Sequence, residues 1–137
     1  MVLSVDDSPV DAKRTKRARK NLGASGERVA ALYLQEHGYQ ILARNYRTRA
    51  GEIDLVGHDA DGLAFVEVRT RRGEAYGSPE ESITPRKRER LLRLALQFLE
   101  AHAEYGDCPW RIDLVAIQLD SSGHIHRLEL IKSIVQD

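Results

Sequence analysis

The stretch GEIDLVGHDADGLAFVEVRTRRG, residues 51–73, contains two apolar runs, and each run is interrupted by one carboxylate, Asp54 or Glu67. The runs flank the turn-forming sequence GHDADG and predict two strands, residues 52–57 and 63–69, joined as an antiparallel hairpin. A carboxylate inside a sheet loses its hydration unless it is paired, turned to water or placed against a cation. The third arrangement would be a functional site.

Strand geometry places Glu67 and Arg69 on one face of the second strand, because side chains two residues apart share a face. On the first strand, Ile53 and Leu55 are expected to point away from Asp54, and pairing about the turn brings Asp54 beside Glu67. Two such carboxylates repel one another, but a divalent cation between them reverses the interaction. Mg²⁺ or Mn²⁺ suits these oxygen ligands, and phosphate oxygens complete its shell, so the pattern indicates a phosphodiester substrate.

The chain outside the hairpin predicts two helices and three more strands. Apolar residues repeat at helical spacing from Ser25, a candidate N-cap, to Gly38, a candidate C-terminal cap, and a β-rich segment follows. Thr84 as N-cap and Pro85 at the first helical position begin a long second helix. Alternating apolar residues from Ile112 onward predict two final strands. The order is helix, three strands, helix, two strands.

The composition is that of one globular domain of 137 residues, with 42% hydrophobic and 31% charged residues. The 21 basic and 21 acidic side chains cancel, so net charge favours neither nucleic acid nor a membrane. One cysteine excludes an internal disulfide, and no apolar stretch near the N-terminus is long enough for a secretion signal or membrane span. We therefore expect a cytoplasmic protein without a membrane partner.

Residues 1–22 differ from the rest of the chain, because they show little apolar periodicity and end in a basic run. We expect a disordered basic arm over residues 1–22 and a single folded domain over residues 23–137. Such an arm adds phosphate contacts in some nucleic-acid-binding proteins. Solvated basic tails are common elsewhere, and this simpler interpretation is preferred.

Four stretches carry a wider pattern: GERVAALYLQEHGYQILARNYRTRAGEIDLV (26–56), FVEVRTRRG (65–73), YGSPEESITPRKRERLLRLA (76–95) and RIDLVAI (111–117). Together they resemble the YraN-like uncharacterised protein family, and the hairpin resembles the PD-(D/E)-x-K nuclease signature. The resemblance implies an α/β (α+β sandwich) fold, a restriction-endonuclease-like core with a mixed central sheet, similar to archaeal Holliday-junction resolvases. Residues 23–137 would then be a single nuclease-like domain. A homodimer is an option, because junction-resolving relatives act as dimers.

Carried over residue by residue, the resemblance implies five catalytic candidates: Glu27, Asp54, Glu67, Arg69 and Lys87. The metal ligands among them would be Asp54 and Glu67, together with the backbone carbonyl of Val68. Arg69 stands where the family pattern has Lys, and arginine does not accept a proton, so its role would be to orient water or neutralise phosphate charge. Lys87, early on the second helix, is an alternative source of an amine at the site.

Each candidate also has a simpler interpretation. Glu27, in the first turn of the first helix, favours the positive end of the helix dipole. In the same way, Lys87 could be a solvated lysine, and Glu52 could be a solvated residue of the strand. Asp54 would need an arginine partner if no metal binds. Six arginines are predicted to bind nucleic acid: Arg47, Arg49, Arg71, Arg72, Arg86 and Arg88. Around the carboxylates, the last residues of the second strand and the basic side chains of the second helix would form a phosphate-binding surface: Arg71, Arg72, Arg86, Lys87, Arg88, Arg90 and Arg93. In the simpler interpretation, Glu80, Glu81 and Glu89 neutralise these charges.

Two functions remain open from the sequence. The first is a divalent-metal-dependent DNA endonuclease acting on branched or repair intermediates, with DNA favoured over RNA. The second is a catalytically weak or inactive nucleic-acid-binding module that kept the nuclease fold. Arg69 in the lysine position is the feature that favours the second.

Overall fold

Two α-helices and five strands make up residues 15–73 and 77–135, the part of the chain that the computed structural model describes, with side chains from residue 25 onward. In chain order the elements are α1 (Thr15–Glu36), β1 (Gln40–Thr48), β2 (Gly51–Asp59), β3 (Gly62–Arg72), α2 (Pro85–Ala101), β4 (Trp110–Leu119) and β5 (Ile125–Ile131). Short 3-10 turns, Glu80–Ser82 and Ala103–Tyr105, flank α2. The predicted order of elements is confirmed.

One mixed sheet holds the five described strands in chain order, β1-β2-β3-β4-β5. Strands β3 and β4 run parallel, and the other three pairings are antiparallel. A parallel pair needs a crossover connection, which α2 supplies between the end of β3 and the start of β4. The predicted α/β (α+β sandwich) class with a mixed central sheet is therefore confirmed.

Each helix covers one face of this sheet, because alternate residues of a strand point to opposite faces. On β3, Ala64 and Val66 pack in the cluster under α1, whereas Leu63 and Phe65 pack in the cluster under α2. Phe65 meets Phe98 of α2 edge-on, with ring centroids 5.3 Å apart. The face of β3 that carries its odd-numbered residues therefore looks toward α2.

Helix α1 begins at Thr15, ten residues before Ser25, so the prediction that Ser25 caps the first helix is wrong. The run before Ser25 is rich in Lys, Arg and Ala, which are strong helix formers, and it extends the helix backwards. Residues 15–22, expected in a disordered arm, are helical, while residues 1–14 lie outside the described residues. Gly26 lets α1 lie close on β3, since a Cβ there would collide with Oγ1 of Thr70.

The hairpin and the second helix follow the predicted chemistry. Both hairpin strands are a few residues longer than predicted, and they meet at the expected turn. Thr84 is the N-cap of α2, with its side chain accepting from the backbone N–H of Lys87 at 3.2 Å, and Pro85 is the first helical residue. Among the described residues, neither helix has the length and apolarity that a membrane span requires.

Candidate functional site

The pairing between β2 and β3 ends just before the two carboxylates singled out from the sequence. Leu55 and Val66 form the last pair, and Asp54 and Glu67 follow next to each other. Oδ2 of Asp54 accepts a hydrogen bond from the backbone N–H of Val68 at 2.8 Å. The side chain of Asp54 thus replaces a bond between strands, and it is fixed at the point where the strands part.

The alternation of faces along β2 breaks at Asp54. Leu55 packs in the α1 cluster and Ile53 in the α2 cluster, so the two neighbours of Asp54 lie on opposite faces, whereas strict alternation would place them on one face. Asn45 lies opposite this position on β1, and its φ of 50° is in the left-handed region that asparagine tolerates better than most residues. The irregular backbone at Asn45 accompanies the change of face.

Three carboxylates from two elements meet beside this irregularity. Oxygen atoms of Glu27 on α1 and of Glu52 and Asp54 on β2 lie within 4.8 Å of one another. The side-chain amide of Asn45 donates to the two oxygens of Glu27 at 3.0 and 3.1 Å, and to Oε1 of Glu52 at 2.9 Å. Carboxylate oxygens at this spacing fit around one hard divalent cation.

Glu52 is the member of this group that the sequence interpretation did not select. Its signal was present, because Glu52 and Asp54 are two residues apart on a strand and so share a face. Glu27 was selected, but its simpler interpretation is wrong. With α1 starting at Thr15, Glu27 lies about three turns into the helix and away from the positive end of the dipole.

Glu67 is held by cations from two elements. Its side chain is 7% exposed, and Oε2 lies 3.0 Å from Nη2 of Arg69 and 3.0 Å from Nζ of Lys87. Lys87 therefore reaches the cleft from the first turn of α2 and is not a freely solvated lysine. Val68 contributes its N–H to Asp54.

Burial raises the proton affinity of both hairpin carboxyls. Loss of hydration, reinforced by the charge of Glu67, raises the pKa of Asp54 from 3.8 to about 8. Burial also raises the pKa of Glu67, and the charge of Arg69 opposes this shift without cancelling it. Charge on this pair is costly in the metal-free protein, and a bound cation would relieve that cost.

These side chains line a cleft of about 520 Å³ that is reached by both helices and by the end of the hairpin. Its acidic residues are Glu27, Glu52, Asp54 and Glu67, and its basic residues are Arg69, Arg71, Lys87 and Arg90. The buried Nε atoms of Arg69 and Arg71 have no hydrogen-bond partner among the described residues. The cleft therefore combines oxygen ligands for a cation with guanidinium donors that lack an acceptor.

The six arginines predicted to bind nucleic acid do not form one surface. Arg71 lines the cleft, whereas Arg47 is largely exposed, with Nε 3.7 Å from Oε2 of Glu52. Arg72 points elsewhere and donates to the carbonyl of Ser121 at 2.9 and 3.2 Å.

The other three arginines of that prediction lie on separate parts of the surface. Arg49 lines a hollow beside the last turns of α2, and Arg88 lines another hollow against the end of β5. Arg86 is exposed in the first turn of α2. Arg90, which was expected in the phosphate-binding surface of the second helix, does line the cleft, because it lies one helical turn after Lys87.

Asn45→Asp is expected to destabilise the metal-free protein by about 1 kcal/mol. The change removes the donor shared by Glu27 and Glu52 and adds a fourth carboxyl group beside them, while Asp tolerates the left-handed backbone much as Asn does. Urea unfolding with EDTA measures the loss. Millimolar Mn²⁺ should recover part of it, and a loss that high salt does not reduce would contradict the electrostatic cause.

The fold and the cleft define a class: an α+β protein with a mixed five-stranded sheet and a charged cleft at the open end of its hairpin. Residues 26–117 match the profile of the Uncharacterised protein family UPF0102, and the chain belongs to this family. The match confirms the family resemblance read from the sequence.

Relatives in this family match over most of their length. A UPF0102 protein of Pelotomaculum thermopropionicum is 50% identical over 112 residues, which are 82% of this chain and 92% of the relative. A UPF0102 protein of Roseiflexus castenholzii is 49% identical over 120 residues, covering 87% of this chain and 96% of the relative.

Two solved structures show weaker similarity. A repair endonuclease from Pyrococcus abyssi is 21% identical with a TM-score of 0.35, over 84% of this chain and 43% of that one. Pyrococcus furiosus SfsA in complex with Ca²⁺ is 16% identical with a TM-score of 0.38, over 87% of this chain and 65% of that one. Similarity at this level is too low to support a shared site or activity.

Proposed function

We propose that the protein is a divalent-metal-dependent nuclease that hydrolyses phosphodiester bonds in DNA, with branched or repair intermediates as substrates. The observation that carries the proposal is the cleft, in which carboxylates of Glu27, Glu52 and Asp54 lie within 4.8 Å of one another. Lys87 and Arg69 approach the same cleft through Glu67. The predicted cytoplasmic location and the option of a homodimer belong to this proposal.

The donor set fits Mg²⁺ or Mn²⁺, because it consists of carboxylate oxygens and lacks sulfur and imidazole. Glu27, Glu52 and Asp54 would hold the ion, and Glu67 lies next to Asp54 as the member of the alternative ligand pair. When bound, the ion would supply charge for the phosphate oxygens and lower the pKa of a water molecule. Asp54 and Glu67 are largely buried, and the charge of Glu67 raises the proton affinity of Asp54, which favours an occupied site.

The cations of the cleft complete the proposed chemistry. Arg69 does not take up a proton, so it neutralises charge that develops on the phosphate. The family pattern has a lysine at the position of Arg69, and Lys87 would take over the role of that lysine. Its amine lies 3.0 Å from Oε2 of Glu67 and orients the attacking water. Glu67 positions both cations, which gives it a role whether or not it contacts the metal.

Glu52→Gln and Glu67→Gln separate the two candidate ligand sets. We expect Glu52→Gln to reduce the Mn²⁺-induced rise in melting temperature by more than half, because it removes a charged oxygen from the cluster. Glu67→Gln should retain most of that rise, since Oε2 of Glu67 is already paired with two cations. A thermal melt with Mn²⁺ titration gives both results. The opposite order would assign the metal to Asp54 and Glu67.

A nucleic-acid-binding module with little or no catalysis is the second candidate function. The observation that favours it is Glu67, whose two ion pairs neutralise a carboxylate that a metal would otherwise use. Cleavage of supercoiled, linear, single-stranded and branched DNA with Mn²⁺ or Mg²⁺ decides between the two functions. Binding without cleavage, at metal concentrations that raise the melting temperature, would support the module.

A further inference from the structure

Three alternate residues of β3 form a line on the face that looks toward α2. These are Glu67, Arg69 and Arg71, and each lines the cleft. Strands rise about 3.3 Å per residue, so Arg69 and Arg71 are about 6.6 Å apart along β3. This distance is comparable to one nucleotide step of an extended sugar–phosphate backbone.

The two arginines differ in what already holds them. Arg69 is paired with Glu67 at the centre of the cleft, at 3.0 Å. Arg71 has no carboxylate partner among the described residues, and its Nη1 donates a long hydrogen bond of 3.4 Å to the carbonyl of Thr70. Its Nε is buried and has no acceptor within the described part of the chain. A buried guanidinium donor left unpaired is costly, so the position is suited to an anionic acceptor that enters the cleft.

We propose that Arg71 binds the phosphate next to the one held at Arg69 and Lys87, so that the substrate is a polynucleotide strand running along β3. This inference rests on the proposed function and names the residue that binds the substrate strand beside the central phosphate. Arg90, which also lines the cleft and whose charge acts on Glu67, stays with the central phosphate. A phosphomonoester or a single nucleotide has no second backbone phosphate. It would bind at the centre of the cleft and provide no acceptor for Arg71.

The first test compares substrates with one and with several phosphates. The probes are bis(p-nitrophenyl) phosphate and a single-stranded oligodeoxynucleotide, each with Mn²⁺. For Arg71→Gln, we expect the loss of kcat/KM on the oligonucleotide to exceed the loss on the one-phosphate ester by about tenfold. Equal losses on both substrates would overturn the proposal, because they would place Arg71 at the scissile phosphate or in the fold.

Arg72→Gln is the matched control. It removes the same charge one residue along β3, but its guanidinium lies outside the cleft and is bonded to the carbonyl of Ser121. We expect it to change both substrates by no more than about twofold. An Arg72→Gln effect as large and as selective as that of Arg71→Gln would show a general charge effect and overturn the proposal. Circular dichroism and melting curves check that both variants fold.

A binding measurement keeps this test independent of catalysis. Fluorescence anisotropy of a labelled oligonucleotide compares Asp54→Asn with two double variants. Asp54→Asn/Arg71→Gln should bind about tenfold more weakly than Asp54→Asn, and Asp54→Asn/Arg72→Gln should bind about as well. If the wild type cleaves no substrate and the difference in binding persists, the nuclease proposal fails and the strand-binding role of Arg71 stands. If cleavage occurs and the difference is absent, the role of Arg71 fails and the nuclease proposal stands.

Discussion

Asp54→Asn is expected to reduce Mn²⁺-dependent DNA cleavage by about a thousandfold or more while raising the melting temperature of the metal-free protein. Activity falls because Asp54 is the central carboxylate of the cleft, adjacent to Glu27, Glu52 and Glu67. Stability rises because the amide carries no charge, and its oxygen still accepts the N–H of Val68. The gain at pH 8 should be about 1–2 kcal/mol, given the high effective dielectric of real sites.

The pH dependence follows from the direction of the pKa shift. The pKa of Asp54 is raised from 3.8 to about 8 by burial and by Glu67, so the folded state holds this proton more tightly than the unfolded state. Stability of the metal-free wild type should therefore fall as pH rises from about 4 to about 8. The fall should be smaller in Asp54→Asn, where Glu67 is the remaining carboxyl of the pair with a raised pKa.

Cleavage assays on identically purified wild type and variant measure the activity. Cleavage by a contaminating nuclease would be the same in both preparations, so it would not be mistaken for an effect of the substitution. Urea unfolding across this pH range, with EDTA, measures the stability. The stabilising effect should shrink or reverse in millimolar Mn²⁺, because only the wild type gains the full binding energy of the ion. Normal cleavage by Asp54→Asn would refute the proposed site. A melting temperature below that of the wild type at every pH would show that the charge of Asp54 does not destabilise the metal-free protein.

Asp113→Ala is expected to lower the free energy of unfolding by about 3–5 kcal/mol. Asp113 is fully buried on β4, at 0% exposure, and Oδ2 accepts from Nε of Arg111 at 2.8 Å. Its other oxygen accepts from the backbone N–H of Ser133 at 2.9 Å, which ties the chain after β5 to the sheet. The substitution leaves a guanidinium that is only 15% exposed without its nearest carboxylate, and it also leaves a cavity.

Urea unfolding measures this loss, and two further variants identify its cause. Asp61→Ala removes an equal charge from an exposed turn and should cost less than about 0.5 kcal/mol. The double variant Arg111→Met/Asp113→Leu should be more stable than Asp113→Ala, because apolar groups need no partner. A loss below about 1 kcal/mol for Asp113→Ala would mean that Asp59, 3.4 Å from Arg111, compensates for it.

The stretches with local signals were predicted correctly. The hairpin, the start of α2 at Thr84 and Pro85, and the two final strands depend on turn residues, caps and periodicity that lie within one segment. The start of α1 was misplaced, because Ser25 is a good N-cap but the helix-forming residues before it outweigh that preference. Local rules compete at such a position, and the sequence alone gives no way to rank them.

The site was predicted in part, and the limits follow from where its residues come from. Asp54, Glu67, Arg69 and Lys87 were selected, and the structure brings all four into the cleft with Glu27. Neighbouring residues of a strand point to opposite faces, so Arg71 and Arg72 of β3 do not both reach the cleft. The sequence alone could have predicted this difference. Other arginines, including Arg49 and Arg88, belong to elements whose relative placement decides whether they reach the site.

The sequence by itself determined the order of elements, the hairpin with its two interrupting carboxylates and the family to which the chain belongs. Only the tertiary structure decided that Glu27 joins Glu52 and Asp54, and that Lys87 and Arg69 share one oxygen of Glu67. The physical reason is that side-chain periodicity acts within one element. The meeting of α1, β2, β3 and α2 depends instead on the sheet order, the parallel crossover through α2 and the irregular backbone at Asn45.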